Sequence, residues 1–416
     1  MSTISTPSGE LKQSRTPIIA ISVGHGSLHW VTAILFVMVP FMKKEFDWSY
    51  TEVTVLWAIF NASSAIANIP SGAAADIFGR RVLLMAVSLA LCGGGMMALG
   101  LTDSYLMIAV MMGVIGATSM SWHPPAMSYL SIRYPERRGF AVAMHGFGSS
   151  VMQAIGPFAA GIMLNKTAAI PALALAMNWR DVAIINGALP PIIAVLIMLG
   201  IRRTGKRVEG QDSSAKMKDY WDGIKELLTN KAVLTLFAVS GFRKVAQNGV
   251  LIFLPLYFLD ILKFDGLAVG SGVSIIMLAG AVMGPIAGIL SDKIGRKQIA
   301  YFGMWGMNIT LLILPFIGNA TVFIVGVAFL GFFIYAARPV IQSWVMDLSA
   351  VKMHGSVTSM MFLAETALGT FAPIIGGVIA DLYGLTSTFF FLAASVFIAN
   401  ILLPFVAKAE ALRAQA

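Results

Sequence analysis

The stretch Gly72-Ala-Ala-Ala-Asp-Ile-Phe-Gly-Arg-Arg81 returns later in the chain as Gly288-Ile-Leu-Ser-Asp-Lys-Ile-Gly-Arg-Lys297. Each copy follows one long apolar run and precedes another. Pro157 and Pro373, much further along each half, are separated by the same number of positions as the two aspartates. A repeat that keeps its register over most of a half-chain indicates that the protein is two copies of one design.

The composition indicates a membrane protein. The chain has 416 residues, of which 57% are hydrophobic and only 12% are charged. A helix needs about 20 apolar residues to cross a bilayer, and the chain contains about twelve such runs. The net charge is +9, and most of the basic residues lie at the ends of these runs and in one linker, as is typical of membrane proteins. We therefore expect the lipid bilayer as a partner and no nucleic acid.

We predict an all-α membrane protein with twelve transmembrane helices in two pseudo-symmetric six-helix bundles. Residues 1–201 form the first bundle, 202–230 a cytoplasmic linker and 231–416 the second bundle. The predicted spans are residues 17–41, 52–71, 82–101, 105–130, 139–164, 181–201, 232–261, 268–290, 298–318, 321–346, 355–380 and 386–407. We expect a monomer.

The distribution of basic residues predicts the orientation. Basic residues favour the cytoplasmic side of a membrane. If the N-terminus is inside, both repeated hairpins and the basic linker also fall inside. The outer loops then hold only Lys43, Lys44, Lys166, Arg180 and Lys263. We expect both termini to be cytoplasmic and the protein to span a bacterial-type inner membrane several times.

The pattern Gly-x-x-x-Asp-x-x-Gly-Arg-Arg/Lys, between the second and third spans of each half, resembles the signature loop of the major facilitator superfamily. The resemblance implies two bundles that rock about a site at their interface. On that basis we predict a gating role for Asp76, Arg80, Asp292 and Arg296. The alternative is a topology signal alone, although topology needs only the basic residues.

Ionisable residues and prolines recur at one depth in the two halves. His123-Pro124 of the fourth span corresponds to Arg338-Pro339 of the tenth, and His29 of the first corresponds to Lys244 of the seventh. A proline frees a backbone carbonyl and permits a kink. Such a break is tolerated in lipid only beside protein or a wet cavity. We therefore predict a broken helix in each half and a central binding site.

Charges inside the bilayer indicate what this site binds. Each costs about 2.5–3.5 kcal/mol on insertion scales, so its presence favours a function. A guanidinium can grip a carboxylate or phosphonate through two hydrogen bonds. We predict an anionic or amphipathic small-molecule solute. The predicted substrate-binding residues are Arg338, His123, His29, Lys244, Arg243 and Gln342.

Glu365 and His25 are the predicted carriers of a coupling proton. The alternative for Glu365 is a structural salt bridge to Arg338 or Lys244. His25 and His29 lie four residues apart, on one face of a helix. No carboxylate accompanies them, so we expect no metal site, and the alternative to a proton is hydrogen bonding between helices. We expect His145 to serve packing.

The segment Trp122-His123-Pro124, the early histidine of the first span and the glycine- and serine-rich fifth span resemble the fosmidomycin-resistance branch of efflux transporters. This resemblance implies export. The arginine that many proton-coupled members carry in the fourth span is absent, and Met111-Met112-Gly113 occupies its place.

We predict a secondary active transporter, proton-coupled and working by alternating access, with efflux favoured. An alternative is a proton-linked organic-anion uptake symporter, and one from another class is a non-transporting membrane receptor. No phosphate loop, zinc-protease motif or nucleophile motif occurs in the sequence. We therefore expect neither an enzyme nor a cofactor.

Overall fold

A computed structural model describes residues 15–165, 175–201, 229–349 and 354–415, without the side chains of residues 76, 355, 356 and 407–415. These residues form twelve helices. Their bounds are α1 Thr16–Phe46, α2 Tyr50–Phe78, α3 Arg81–Leu99, α4 Tyr105–Arg133, α5 Arg138–Leu164, α6 Trp179–Gly200, α7 Lys231–Asp260, α8 Gly266–Ile294, α9 Arg296–Phe316, α10 Ala320–Asp347, α11 His354–Tyr383 and α12 Ser387–Gln415.

The helices confirm the predicted all-α membrane fold. Eleven of those in the described ranges are long and apolar enough to cross a bilayer. Helix α7 is not among them, and it carries Arg243 and Lys244 in its interior. The predicted division at residues 202–230 stays a prediction, since 202–228 lie outside the described residues.

Glycine lets the chain turn at both repeated hairpins. Gly79 ends α2 with φ +62°, and Gly295 separates α8 from α9 with φ +115°. Side chains with a Cβ rarely adopt such angles, whereas glycine does so without steric cost. The tight turns expected from the repeated motif are therefore present in both halves.

The two helices that were predicted to be broken at a proline, α4 and α10, differ. Helix α4 is interrupted at Trp122, between the segments Tyr105–Ser121 and His123–Arg133. Two consecutive prolines follow the interruption, and together they remove two backbone donors. Helix α10 instead runs unbroken through the single Pro339. The predicted break at equivalent depth is therefore right for the first half and wrong for the second.

The halves meet through two helix pairs, α2 with α11 and α5 with α8. A Cβ on Gly161 would lie 2.7 Å from the carbonyl oxygen of Gly266, and one on Gly377 would lie 2.3 Å from the Thr54 hydroxyl. Further along α5 and α8, a Cβ on Gly146 or Gly288 would have no neighbour within 4 Å. Both pairs touch at one end, which we name the closed end, whereas α5 and α8 leave open space towards the hairpins, at what we name the open end.

Polar contacts also join the halves at the closed end. Asp381 of α11 accepts hydrogen bonds from the backbone N–H groups of Tyr50 (2.8 Å) and Thr51 (2.9 Å) and from the Thr51 hydroxyl (2.6 Å). Asp260 of α7 pairs with Lys43 (3.4 Å) and accepts from the Tyr50 hydroxyl (2.9 Å). A carboxylate of the second half thus occupies the positive N-terminus of α2 in the first.

Candidate functional site

Four of the five histidines of the chain come together in the first half. His25 and His29 lie on α1, His123 follows the break in α4, and His145 lies on α5. The ring of His25 stacks on that of His145 at 3.8 Å and lies 4.8 Å from the rings of His29 and His123. We name these residues the histidine cluster. His145, expected to serve packing, belongs to it.

Close packing of α1 on α5 brings the cluster together. A Cβ on Gly148 of α5 would lie 2.2 Å from the carbonyl oxygen of Ser22, and one on Gly26 of α1 would lie 2.8 Å from the carbonyl oxygen of Gly148. Only glycine permits such an approach of two backbones. It sets His25 beside the backbone of His145.

Hydrogen bonds fix the orientation of the rings. His25 Nδ1 lies 2.8 Å from the carbonyl oxygen of His145, and because a carbonyl only accepts, Nδ1 must carry the proton. His25 Nε2 then points at His123 Nε2, 3.1 Å away. The indole N–H of Trp122 donates to His145 Nε2 at 3.1 Å.

The second half places an ion pair between α7 and α11. Arg243 donates to Glu365 at 2.8 Å and to Gln247 at 2.8 Å. Ser240 donates to the same carboxylate oxygen of Glu365. Arg243 is fully buried and Glu365 is 4% exposed. The salt bridge considered for Glu365 exists, but its partner is Arg243 instead of Arg338 or Lys244, and a buried Arg243 is the least suited of the predicted residues to contact a solute.

Arg338 lies between the two halves. Its side chain is exposed, yet it interacts electrostatically with His29 of the first half and with Arg243 and Lys244 of the second. Because its electrostatic partners come from both halves, Arg338 lies near the boundary between them. Lys244 is half-buried and also interacts with Glu365. Gln342, half-buried, lies four residues beyond Arg338 on α10.

The structure thus brings most predicted binding residues to one central region. His29 and His123 approach it from the first half, and Lys244 and Arg338 from the second. The divergence of α5 from α8 leaves the region accessible from the open end. Cationic side chains of the second half therefore interact with imidazole rings of the first, as Arg338 does with His29.

The repeated hairpins lie apart from this region. Arg296 binds Asp292, Ser291 (2.6 Å) and Asp347 at the end of α10 (2.9 Å). In the first half, Arg80 is exposed, and the side chain of Asp76 lies outside the described residues. The predicted gating residues Asp292 and Arg296 thus pair within the second half.

Several residues that make contacts between helices, in the central region, at a hairpin or at the closed end, were not predicted. They are His145, Ser240, Asp347 and Asp381. Each acts through a partner on another helix, and spacing along the chain does not reveal such partners. Asp347 alone carried a signal, because an acidic residue at the end of a span, level with a basic hairpin, is a natural salt-bridge partner.

Two repeated bundles that enclose a polar region at mid-depth define a class of protein, the alternating-access membrane transporters. The sequence model of the Major Facilitator Superfamily matches residues 21–272 and, again, residues 245–414. The chain belongs to this superfamily. This confirms the resemblance drawn from the hairpins and the expectation of a transporter instead of an enzyme.

Related proteins add detail. A multidrug resistance protein MdtG from Proteus mirabilis is 34% identical over 178 residues, which are 39% of this chain and only 43% of that protein. A fosmidomycin resistance protein from Escherichia coli is 22% identical over 369 residues, 87% of this chain and 86% of the relative.

Solved structures share the fold. A bacterial homologue of the human lysosomal transporter Spinster, in an inward-facing and unoccupied conformation, superposes with a TM-score of 0.81 over 96% of this chain and 97% of its own, at 14% identity. The nucleoside transporter NupG gives a TM-score of 0.79 at 10% identity, over 94% of this chain and 99% of its own.

Proposed function

We propose that this protein is a proton-coupled exporter of a small anionic or amphipathic organic solute. The observation that carries the proposal is the position of Arg338, exposed between the halves, beside Lys244 and facing His29. Export is supported by the efflux-type relatives, among them the multidrug and fosmidomycin resistance proteins.

The solute site consists of Arg338 and Lys244, with His29, His123 and Gln342 around them. An exposed guanidinium in a cavity of low dielectric attracts an anion more strongly than it would in water. Because Glu365 already neutralises Arg243, the charge of Arg338 and Lys244 is left for a solute. A carboxylate, phosphate or phosphonate group fits this arrangement.

The coupling proton is assigned to Glu365. This carboxylate is buried, sits on an interface helix and shares its oxygen between Arg243 and Ser240. Protonation would remove its charge and release Arg243 from the pair. We leave His25 out of this assignment, because the histidine nitrogens face one another and suit a different ligand, considered below.

The basic hairpins place the open end in the cytoplasm by the positive-inside rule. The conformation is then open to the cytoplasm and closed outside by the contacts of Asp381 and Asp260. A multi-pass protein of this orientation in a bacterial inner membrane would bind solute from inside and release it outside after the halves rock.

A second candidate is proton-linked uptake of an organic anion. A proton on Glu365 would leave Arg243 without its counter-ion, and the cavity would attract an anion more strongly. By linkage, a bound anion would then raise the affinity of Glu365 for the proton by the same factor. Proton and anion would therefore bind together, as in a symporter, whereas an amphipathic solute with a cationic group would compete with the proton, as in an exporter.

Transport in proteoliposomes tests both candidates. The probes are fosmidomycin and a set of labelled carboxylates and phosphonates, under a pH gradient of either direction. We expect Arg338→Gln to lower flux at least tenfold, Arg338→Lys to lower it less, and Arg133→Gln, an exposed control, to leave it unchanged. Unchanged flux in Arg338→Gln would contradict the solute site.

The pH gradient decides the coupling. Outward flux of the solute under an inward proton gradient supports export, whereas inward flux of the solute under the same gradient supports the symporter. In either case Glu365→Gln should keep flux down the solute gradient but lose its response to the pH gradient. A preserved response would contradict the assignment of the proton to Glu365.

A further inference from the structure

Two ring nitrogens in the histidine cluster face each other without an assigned ligand. His25 Nε2 and His123 Nε2 are 3.1 Å apart. His25 Nδ1 is the donor to the carbonyl oxygen of His145, and His123 Nδ1 lies 3.4 Å from the carbonyl oxygen of Met120. In neutral rings that donate from Nδ1, both Nε2 atoms carry lone pairs. Two lone pairs at this distance repel each other, so either His123 gives up its 3.4 Å contact with Met120 and donates from Nε2, or a cation lies between the two nitrogens.

A third imidazole completes a ligand set. The ligand nitrogens of His25, His29 and His123 all lie within 4.8 Å of one another. In a tetrahedral zinc site with Zn–N bonds of 2.0–2.1 Å, two ligand nitrogens are about 3.4 Å apart. The pair His25 and His123 is already near this separation, and the ligand nitrogen of His29 lies within 4.8 Å of both.

The surroundings of the rings also match a metal site. Imidazoles that bind metals donate their other nitrogen to a carbonyl or carboxylate, which fixes the ring and its tautomer. The carbonyl oxygen of His145 serves His25 in this way, at 2.8 Å. His29 and His123 are only half-buried, so a fourth coordination position would face the central cavity.

We propose that His25, His29 and His123 bind one transition metal ion of the zinc class, with three imidazole ligands and an open fourth position. This inference concerns binding alone and does not depend on which solute is transported or on proton coupling. It replaces the expectation, made from α1 alone, that no metal binds. The third ligand comes from α4, and spacing within α1 could not reveal it.

Arg338 sets the affinity of this site. Its guanidinium interacts with His29, so a divalent ion would be bound near a positive charge. The repulsion weakens binding, and removal of the guanidinium should strengthen it. A metal ion bound elsewhere on the protein, away from Arg338, would not respond in this direction.

The test uses the full-length protein in nanodiscs, purified without a histidine tag, with Co²⁺ as spectroscopic probe and Zn²⁺ as competitor. We expect one Co²⁺ per chain, a visible absorption band of a tetrahedral nitrogen site, and displacement by Zn²⁺. The band should be lost in His123→Ala and in His29→Gln. Arg338→Gln should tighten Co²⁺ binding several-fold.

The fifth histidine supplies the control. His354→Gln, at the start of α11 and outside the cluster, should leave stoichiometry and band unchanged. Size-exclusion profiles confirm that each variant is folded. Absence of the band in the folded wild type would overturn the proposal and assign the space between the two Nε2 atoms to a shared proton. A band that survives in folded His29→Gln and His123→Ala would overturn it equally.

Discussion

The two halves repeat one backbone but hold opposite chemistry at the same depth. The first half gathers three imidazole rings around His25, and the second half gathers the ion pair of Arg243 and Glu365 together with Lys244 and Arg338. Internal duplication therefore fixes where polar groups lie, but each copy has acquired its own residues. The two copies therefore divide polar chemistry between them, with imidazole nitrogens in the first half and charged side chains in the second.

The largest effect is expected where the second half differs most, at its buried ion pair. Glu365→Ala leaves Arg243 charged and fully buried without its counter-ion. Loss of one partner of a buried pair costs about 3–5 kcal/mol of unfolding free energy. This loss of stability can be measured by unfolding the protein in nanodiscs and monitoring its intrinsic fluorescence.

The matched control removes both charges. Arg243→Met combined with Glu365→Leu should recover most of the lost stability, because a well-packed apolar pair replaces a buried ion pair at little net cost. A Glu365→Ala variant as stable as the wild type would show that Arg243 does not need Glu365 as its counter-ion for the fold to be stable.

A smaller effect is expected at the closed end, where the halves touch. Asp381→Asn removes the negative charge from the N-terminus of α2, and such charge–terminus interactions contribute up to about 2 kcal/mol. The population open at this end should rise. Thr54→Cys reports it, because Thr54 is fully buried there and the single native cysteine, Cys92, is buried too.

Maleimide labelling of Thr54→Cys should therefore be faster in the Asp381→Asn background than in the parent. Equal labelling in both would mean that Asp381 does not hold the halves together. Asp103→Asn, an acidic residue near the same end but bound to Arg180 within the first half, is the control.

The smallest effect is expected at the hairpins. Asp347→Asn removes one partner of Arg296, but Arg296 keeps Asp292. Exposed pairs of this kind contribute at most about 1 kcal/mol, so stability should change little. The first half has Arg80 exposed at the equivalent position. A large loss of transport in Asp347→Asn, with normal stability, would instead assign Asp347 to the gate.

Much of the fold was predictable because it follows from local patterns. Apolar runs of sufficient length and the repeated hairpins predicted the helices. The correspondence between His123 and Arg338 in the two halves of the sequence predicted the central region. Contacts between distant helices were not predictable. Nothing in the sequence near Glu365 indicates Arg243 instead of Lys244 as its partner, since the two are adjacent and only the rotation of α7 decides between them.

Two further differences between the predictions and the structure also depend on features that the sequence comparison did not capture. The break in α4 and the continuity of α10 depend on one additional proline, Pro125, which the alignment of the two halves left out of account. The histidine cluster needed the approach of α1 to α5 at Gly26 and Gly148, and a glycine in a sequence does not reveal which backbone it will meet.

The central claim is that the halves rock around the cavity that contains Arg338. Spin labels at Gly146→Cys on α5 and Gly288→Cys on α8 measure it most directly, because a side chain at either position has free space. We expect two distance populations at the open end, with Asp381→Asn shifting the balance towards the shorter one. A single long distance, unchanged by Asp381→Asn, by pH or by a transported anion, would contradict it.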